Sequence, residues 1–353
     1  MAVHGGDIYG EELQELAGTL AEGVLDFSAN INPLGMPESV RRAVTDALSA
    51  AEHYPDPKCR KLRAALSAEH GVPAERILCG NGGAELIYRL AYALRPKKAL
   101  LTVPTFSEYE EALRQTGADF VFYEMESDLR VREDILERMD PSVDVVFLCN
   151  PNNPTGILTG RELLLRMLER AKELGTLLVL DECFLDFTGR EELSLLPLAA
   201  ECPSLFVLRS FTKMYAMPGL RLGYGVCGDR ELLARMEAAG PCWNVSVPAS
   251  EAGVAALGER EYRRRAVELV RRERRRMKER LEALGLKVWD GQADYLFFRA
   301  EGVEDLYERL LPHGILIRRC GNYRGLGPWD YRAAVKGRDD NERFLKAMEE
   351  VLA

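Results

Sequence analysis

Histidine is scarce in this chain of 353 residues: four occur, at positions 4, 53, 70 and 313, and no two stand at metal-ligand spacing. A zinc centre is therefore not expected. Eight cysteines, at 59, 79, 149, 183, 202, 227, 242 and 320, lie far apart with no C-x-x-C pair. They read as reduced, mostly buried thiols of a cytoplasmic protein. No stretch approaches the ~18 apolar residues of a membrane span. Met1 to Gly10 hold no basic region followed by an apolar run, so neither a membrane partner nor a secretory signal is expected. Basic charge is in deficit, with Lys+Arg 47 against Asp+Glu 56 and a formal charge of −9. That balance argues against nucleic acid as a partner. Neither G-x-x-x-x-G-K-[ST] nor G-x-S-x-G occurs, which removes the simplest ATPase and hydrolase readings.

What remains is material for a large packed body: 47% of the residues are hydrophobic, and the length suggests two domains. Short apolar, β-branched runs are expected as strands at Ile77–Cys79, Ala99–Val103, Phe120–Tyr123, Val143–Cys149, Thr176–Leu180, Leu205–Leu208 and Leu220–Cys227. Helical patterns such as Ala84–Leu94, Arg161–Leu174 and Arg230–Ala239 alternate with them. Near-continuous apolar strands separated by helices predict an α/β fold with a mostly parallel sheet covered on both faces. Ligands in such sheets bind at the carboxyl ends of the strands. The final third changes character. Ala266, Val270, Met277, Leu281 and Leu284 form the stripe of one long amphipathic helix, and its arginine-rich side is read as a solvated face laced with Glu268, Glu273 and Glu279. Strands at Leu286–Trp289, Tyr295–Phe298, Ile315–Ile317 and Tyr331–Val335, with helices at Val303–Leu311 and Asn341–Leu352, suggest a smaller α+β domain.

Four motifs follow successive strands. Gly80-Asn-Gly-Gly-Ala84 opens a helix whose free N–H groups and dipole suit a phosphate. Asn150-Pro-Asn-Asn-Pro-Thr-Gly156 is a stiff turn able to hold an amide under a ligand. Asp181 ends a fully apolar strand, where a carboxylate is costly without a cationic partner. Ser210-Phe-Thr-Lys213 leads to Arg221; desolvation would make Lys213 a nucleophile toward aldehydes, and Ser210 and Arg221 suit an anion. By contrast Gly223-Tyr-Gly225-Val-Cys-Gly228 matches the dinucleotide fingerprint only in letters, since its glycines fall inside a strand pattern. Taken singly each motif has a dull explanation. Pyridoxal phosphate alone asks for all four, with an aldehyde for the lysine, a pyridine nitrogen for the aspartate, a ring hydroxyl for the asparagine, and a phosphate.

The order G-N-G, N-P-N-N-P-T-G, D-E, S-x-x-K and P-G-x-R-x-G-Y resembles fold-type I pyridoxal-phosphate enzymes over essentially the whole chain. Within them the chain is similar to the histidinol-phosphate aminotransferase group, and more so to the L-threonine-O-3-phosphate decarboxylases of cobalamin biosynthesis. The latter likeness rests on His4-Gly-Gly, Asp26-Phe-Ser-Ala-Asn-Ile-Asn-Pro-Leu-Gly35, Ile317-Arg-Arg-Cys320 and Tyr331-Arg-Ala-Ala-Val-Lys336. The resemblance implies that Lys213 binds the cofactor covalently, Asp181 holds the pyridinium proton, Asn153 meets the ring hydroxyl and Phe106 stacks on the ring. It places Gly83, Ala84, Ser210 and Arg221 on the cofactor phosphate, with Tyr54 reaching over from the second subunit of a homodimer. Arg332 would hold the substrate carboxylate, Arg318 its phosphate, and His4, Gly5 and Asn30 would close over it, with Asn153 also reaching the substrate. The implied layout is a closing segment at 1–35, a large domain at 36–245 and a small domain at 246–353 beginning with the long helix. Two departures stand out: Phe184 replaces a tyrosine common in the aminotransferases, and Asp7 stands where asparagine is expected after His-Gly-Gly. The implied reaction is decarboxylation of threonine phosphate, and the alternative is an aminotransferase acting on histidinol phosphate or an aromatic amino acid.

Overall fold

A computed structural model describes residues 4–9 and 23–353. Of the expected closing segment, residues 1–3 and 10–22 lie outside the described residues. A short strand β1 (Leu25–Asp26) precedes the main sheet, whose strands are β2 (Ile77–Gly80), β3 (Lys98–Val103), β4 (Asp119–Glu124), β5 (Val145–Cys149), β6 (Leu177–Asp181), β7 (Leu205–Ser210) and β8 (Gly223–Val226). Their order is β2-β8-β7-β6-β5-β3-β4. Strands β3 to β7 run parallel, while β8 is antiparallel to both β2 and β7. The strand expected over Leu220–Cys227 starts late, because Pro218–Leu220 makes a 3-10 turn and Arg221 takes left-handed backbone at φ 58°.

The unbroken apolar runs have a plain cause. Side chains alternate across a strand, and here both faces are buried. In β5, Val145 and Phe147 pack with Leu86 and Leu90 of the helix Gly82–Leu94. Val146 and Leu148 pack on the other side with Leu164 and Leu168 of the helix Arg161–Leu174. With apolar helices on both faces, polar groups can leave the sheet only at the strand ends, which is where the motifs sit.

The last third builds a four-stranded antiparallel sheet from β9 (Lys287–Val288), β10 (Tyr295–Arg299), β12 (Arg318–Arg319) and β13 (Asp330–Ala334), ordered β12-β13-β10-β9. The strand expected over Ile315–Ile317 divides. Its first half, β11 (Ile315–Leu316), pairs in parallel with β1, and the chain then enters β12. The N-terminal segment is thus stitched to the C-terminal body.

The long helix spans Arg260–Ala283. Glu273 is not on a solvated face: it is fully buried and pairs with Arg272 at 3.0 Å and Arg276 at 3.5 Å. Arg276 also meets Glu342 of the helix Arg338–Leu352, so the face is seamed to a neighbouring helix at Glu273 and Arg276, while Glu268 and Glu279 are exposed as expected. All eight cysteines are free thiols; six are buried, Cys183 is half-buried and Cys242 is exposed. No helix among the described residues is long and apolar enough to cross a membrane.

Candidate active site

The carboxyl ends of β5, β6 and β7 open into a cavity of about 420 Å³. Every site residue expected from the sequence lines it except Tyr54. Tyr54 is 78% exposed and stacks on Trp243, with ring centroids 4.4 Å apart.

After β5 the asparagine turn divides its labour. Asn150 bonds twice with the backbone of Thr159, and Asn152 bonds with Pro104, Thr105 and Thr155. Those amides hold the turn, whose two prolines follow cis peptide bonds. Asn153 is left to face the cavity. Its Oδ1 accepts from Arg332 Nη1 at 2.6 Å.

Asp181 closes β6 and is 5% exposed. Its Oδ2 accepts from the Tyr109 hydroxyl at 2.6 Å and its Oδ1 from the Cys183 amide at 2.9 Å. Burial raises its carboxyl above the usual range, and these hydrogen bonds pull against that. No cationic side chain of the described residues meets this buried carboxylate. A protonated ring nitrogen would be the missing partner.

Lys213 follows β7. Burial pushes its amine below the ordinary lysine range; Asp294 opposes this, and Arg332 and Arg221 add to it. An amine held low supplies the free base needed to attack an aldehyde. Asp294 itself is fully buried, and neither carboxylate oxygen finds a donor among the described residues. Burial lifts it to about 6, against the pull of Lys213, Arg332 and Arg274.

The cradle lies at the N-terminus of the helix Gly82–Leu94. Gly82 has φ +78°, and a Cβ there would sit 2.5 Å from Arg221 Nη2, so the turn needs glycine twice over. Ser210 Oγ and Thr212 Oγ1 lie 2.8 Å apart on the same cavity wall. Unpaired helix N–H groups, a guanidinium and two hydroxyls suit a phosphate. The chemistry of this donor set, the unmatched Asp181 and the depressed Lys213 all fit pyridoxal phosphate.

A second cationic group lies elsewhere on the wall. Arg318 of β12 and Arg332 of β13 are directly opposed across the ladder, 6% and 5% exposed. Arg332 Nη2 also donates to the Ser28 carbonyl at 2.9 Å, and its guanidinium lies over the Tyr295 ring. Arg318 Nη2 donates to Asn322 Oδ1 at 2.9 Å and lies over Tyr323. Asn30 is buried with its Oδ1 unpartnered at the cavity. Gly5 packs so closely that a Cβ would meet the Ser28 carbonyl at 2.2 Å. His4 Nε2 meets Glu108 Oε1 at 2.8 Å. Phe184 packs edge-on against Tyr295, and exposed Asp7 accepts from the Tyr9 amide.

Sequence reasoning missed Thr212, Tyr109, Tyr323, Glu108 and Asp294. Thr212 carried a signal, standing beside Lys213 in the same motif. The others acquire meaning only when distant segments meet.

Three similarities bear on this arrangement. A threonine-phosphate decarboxylase of Salmonella typhimurium is 43% identical over 99% of this chain and 97% of its own length. The solved histidinol-phosphate aminotransferase of Clostridium acetobutylicum is 32% identical with a TM-score of 0.88, covering 93% of this chain and 99% of that one. The L-threonine-O-3-phosphate decarboxylase structure from Porphyromonas gingivalis is 28% identical with a TM-score of 0.81, covering 92% and 98%. Residues 22–348 match the family described as aminotransferase class I and II, and the chain belongs to that family.

Proposed function

We propose that this chain is a pyridoxal-phosphate-dependent decarboxylase that converts L-threonine O-3-phosphate to (R)-1-amino-2-propanol O-2-phosphate and carbon dioxide, for the nucleotide loop of cobalamin. The carrying observation is the opposed pair Arg318 and Arg332, which adds two buried guanidinium groups to a cavity whose cofactor cradle already has Arg221. A substrate with both a carboxylate and a phosphate answers that pair. The likeness to the Salmonella enzyme supports the choice of substrate and reaction.

When bound, pyridoxal phosphate supplies an aldehyde that joins the substrate amine and a conjugated ring that takes up the electron pair left at Cα. Gly83, Ala84, Ser210 and Arg221 hold its phosphate, Phe106 covers its ring, and Asn153 meets its hydroxyl. Asp181 keeps the proton on the ring nitrogen, and its bond from Tyr109 fixes the carboxylate in place. Arg332 would grip the substrate carboxylate and Arg318 the phosphate, and two anchored ends would limit how the substrate can turn above the cofactor. His4, Gly5 and Asn30 cover the substrate and exclude water. Lys213 Nζ would take up the proton that the substrate ammonium gives up and return it to Cα, where it replaces the departing carbon dioxide.

Tyr54 is assigned to the partner's cofactor phosphate in a two-fold homodimer, an arrangement consistent with its exposure and its absence from its own chain's cavity. The boundaries 1–35, 36–245 and 246–353 are proposed for the closing segment, large domain and small domain. A cytoplasmic location is proposed on the strength of eight unpaired thiols.

The structural likeness to a histidinol-phosphate aminotransferase favours transamination as the second reading. The deciding assay mixes the holoenzyme with threonine phosphate alone, without any keto acid. Catalytic release of carbon dioxide is expected; stoichiometric conversion to pyridoxamine phosphate without gas would establish the second reading instead.

A further inference from the structure

Two chain segments close the substrate side of the cavity, and both reach the same short helix, Glu108–Arg114. The first is residues 4–9. His4 lines the cavity, and its Nε2 is engaged by Glu108 Oε1 at 2.8 Å, while Glu108 Oε2 accepts from the Tyr88 hydroxyl at 3.1 Å. The second is the turn after β12, which carries Asn322, Tyr323 and Arg324. Arg324 Nη2 donates to Glu110 Oε1 at 2.8 Å, and its guanidinium lies 4.1 Å from the centre of the Phe122 ring. Asn322 and Tyr323, in the same turn, are the groups against which Arg318 is held.

Glu108 and Glu110 are two residues apart, so on a helix they point to nearly opposite sides. Glu108 faces the substrate cavity. Glu110 faces a neighbouring cavity of about 590 Å³ that shares Phe106 and Tyr323 as its wall. The helix begins two residues after Phe106, which ties both contacts to the cofactor's expected position. Both carboxylates are held in the ionised form. His4 lowers Glu108 against its burial; for Glu110, burial is the largest influence and is outweighed by Arg324 and Arg114.

We propose that Glu108 and Glu110 are positioning residues for the phosphate end of the substrate, Glu108 by orienting His4 and Glu110 by fixing the Arg324 turn that braces Arg318. Neither touches the reacting atoms. With Nε2 taken by Glu108, His4 offers Nδ1 to the substrate, and its ring stays over the cavity despite being 44% exposed. The Arg324–Glu110 pair joins parts of the chain 214 residues apart, so it sets where the turn sits relative to the large sheet.

This inference rests on the substrate assigned above. The test uses the holoenzyme with threonine phosphate and compares Glu108→Ala, Glu108→Gln, Glu110→Ala, Arg324→Ala and the Glu110→Ala/Arg324→Ala double variant. Cofactor content and melting temperature are measured alongside. Glu108→Ala should raise KM roughly tenfold with a much smaller fall in kcat, and Glu108→Gln, which retains an acceptor for Nε2, should recover most of the loss. Glu110→Ala and Arg324→Ala should each raise KM by about threefold to tenfold, and the double variant no further, because the two act as one pair. A fall in kcat at unchanged KM, or additive losses in the double variant, would overturn the proposal. Failure of the unsubstituted enzyme to turn over threonine phosphate would strike the functional assignment and not the His4–Glu108 contact. That contact is then read from proteolytic release of residues 4–9 in the same variants, which should quicken in Glu108→Ala and would refute the role if unchanged.

Discussion

The two ends of the cavity are built on different principles. The cofactor end takes Asn153, Asp181, Ser210 and Lys213 from the ends of adjacent parallel strands, β5, β6 and β7. Their spacing is fixed by the sheet itself, about 4.8 Å from strand to strand. The substrate end takes Arg318 and Arg332 from the small antiparallel sheet, Asn30 from the chain after β1, and His4 from a segment bonded to Glu108 and Ser28 of the body. One end is a by-product of the fold; the other is an assembly of separate pieces. Substitutions at the first should abolish chemistry in an intact site, while those at the second should loosen recognition.

The largest effect is expected from Lys213→Ala. Loss of the amine should cost at least ~10³-fold in kcat and remove the visible absorption of the covalently bound cofactor. Borohydride reduction followed by peptide mass spectrometry should find the cofactor on Lys213, and label on another lysine would break the assignment. Asp181→Asn comes next. An amide cannot hold the ring proton, and leaving that charge unmatched in a buried site should cost roughly 3–5 kcal/mol in transition-state stabilisation with the fold retained. Near-normal turnover by this variant would remove Asp181 from the mechanism. At the substrate end Arg318→Ala should weaken binding of threonine phosphate by about 2–3 kcal/mol, with the cofactor spectrum unchanged. Equal loss of cofactor would show that the two ends are not separable.

The last effect is on stability and not on catalysis, and concerns Asp294, whose charge acts on Lys213 and Arg332. Its carboxyl titrates at about 6 in the fold and near ~3.9 in an unfolded chain. The native state therefore prefers the protonated form. The stability this confers is fully present below the unfolded value and is lost as pH rises through the folded one. Asp294→Asn should accordingly raise the melting temperature near neutral pH, by at most about 3 kcal/mol in stability, and change it little near pH 4. An equal shift at both pH values would mean that packing, not titration, accounts for the change.

The legibility of the site followed the same division. The apolar runs announced β5, β6 and β7, and a motif directly after each run had to lie at a strand end, because both sheet faces are covered. Asp181 and Lys213 were therefore readable as neighbours although 32 positions apart in the chain. The buried Glu273 was misread because its partner Arg276 looks like a solvated charge until the last helix packs against it. Tyr109 was invisible as a holder of Asp181, since a tyrosine in an amphipathic helix reads as core, and only its hydroxyl direction reveals the bond.

By itself the sequence determined the alternation of buried strands and covering helices, and with it which polar residues stand at strand ends. It did so because side chains alternate across a strand, so an unbroken apolar run calls for cover on both faces, as in a mostly parallel sheet between helices. The tertiary structure alone decided that Arg318 and Arg332 face each other, that β1 pairs with β11, and that Glu108 and Glu110 hold two remote segments. Those contacts join residues up to 290 positions apart, as between Leu25 and Ile315. No local pattern encodes such pairings, since they depend on how separately formed layers pack.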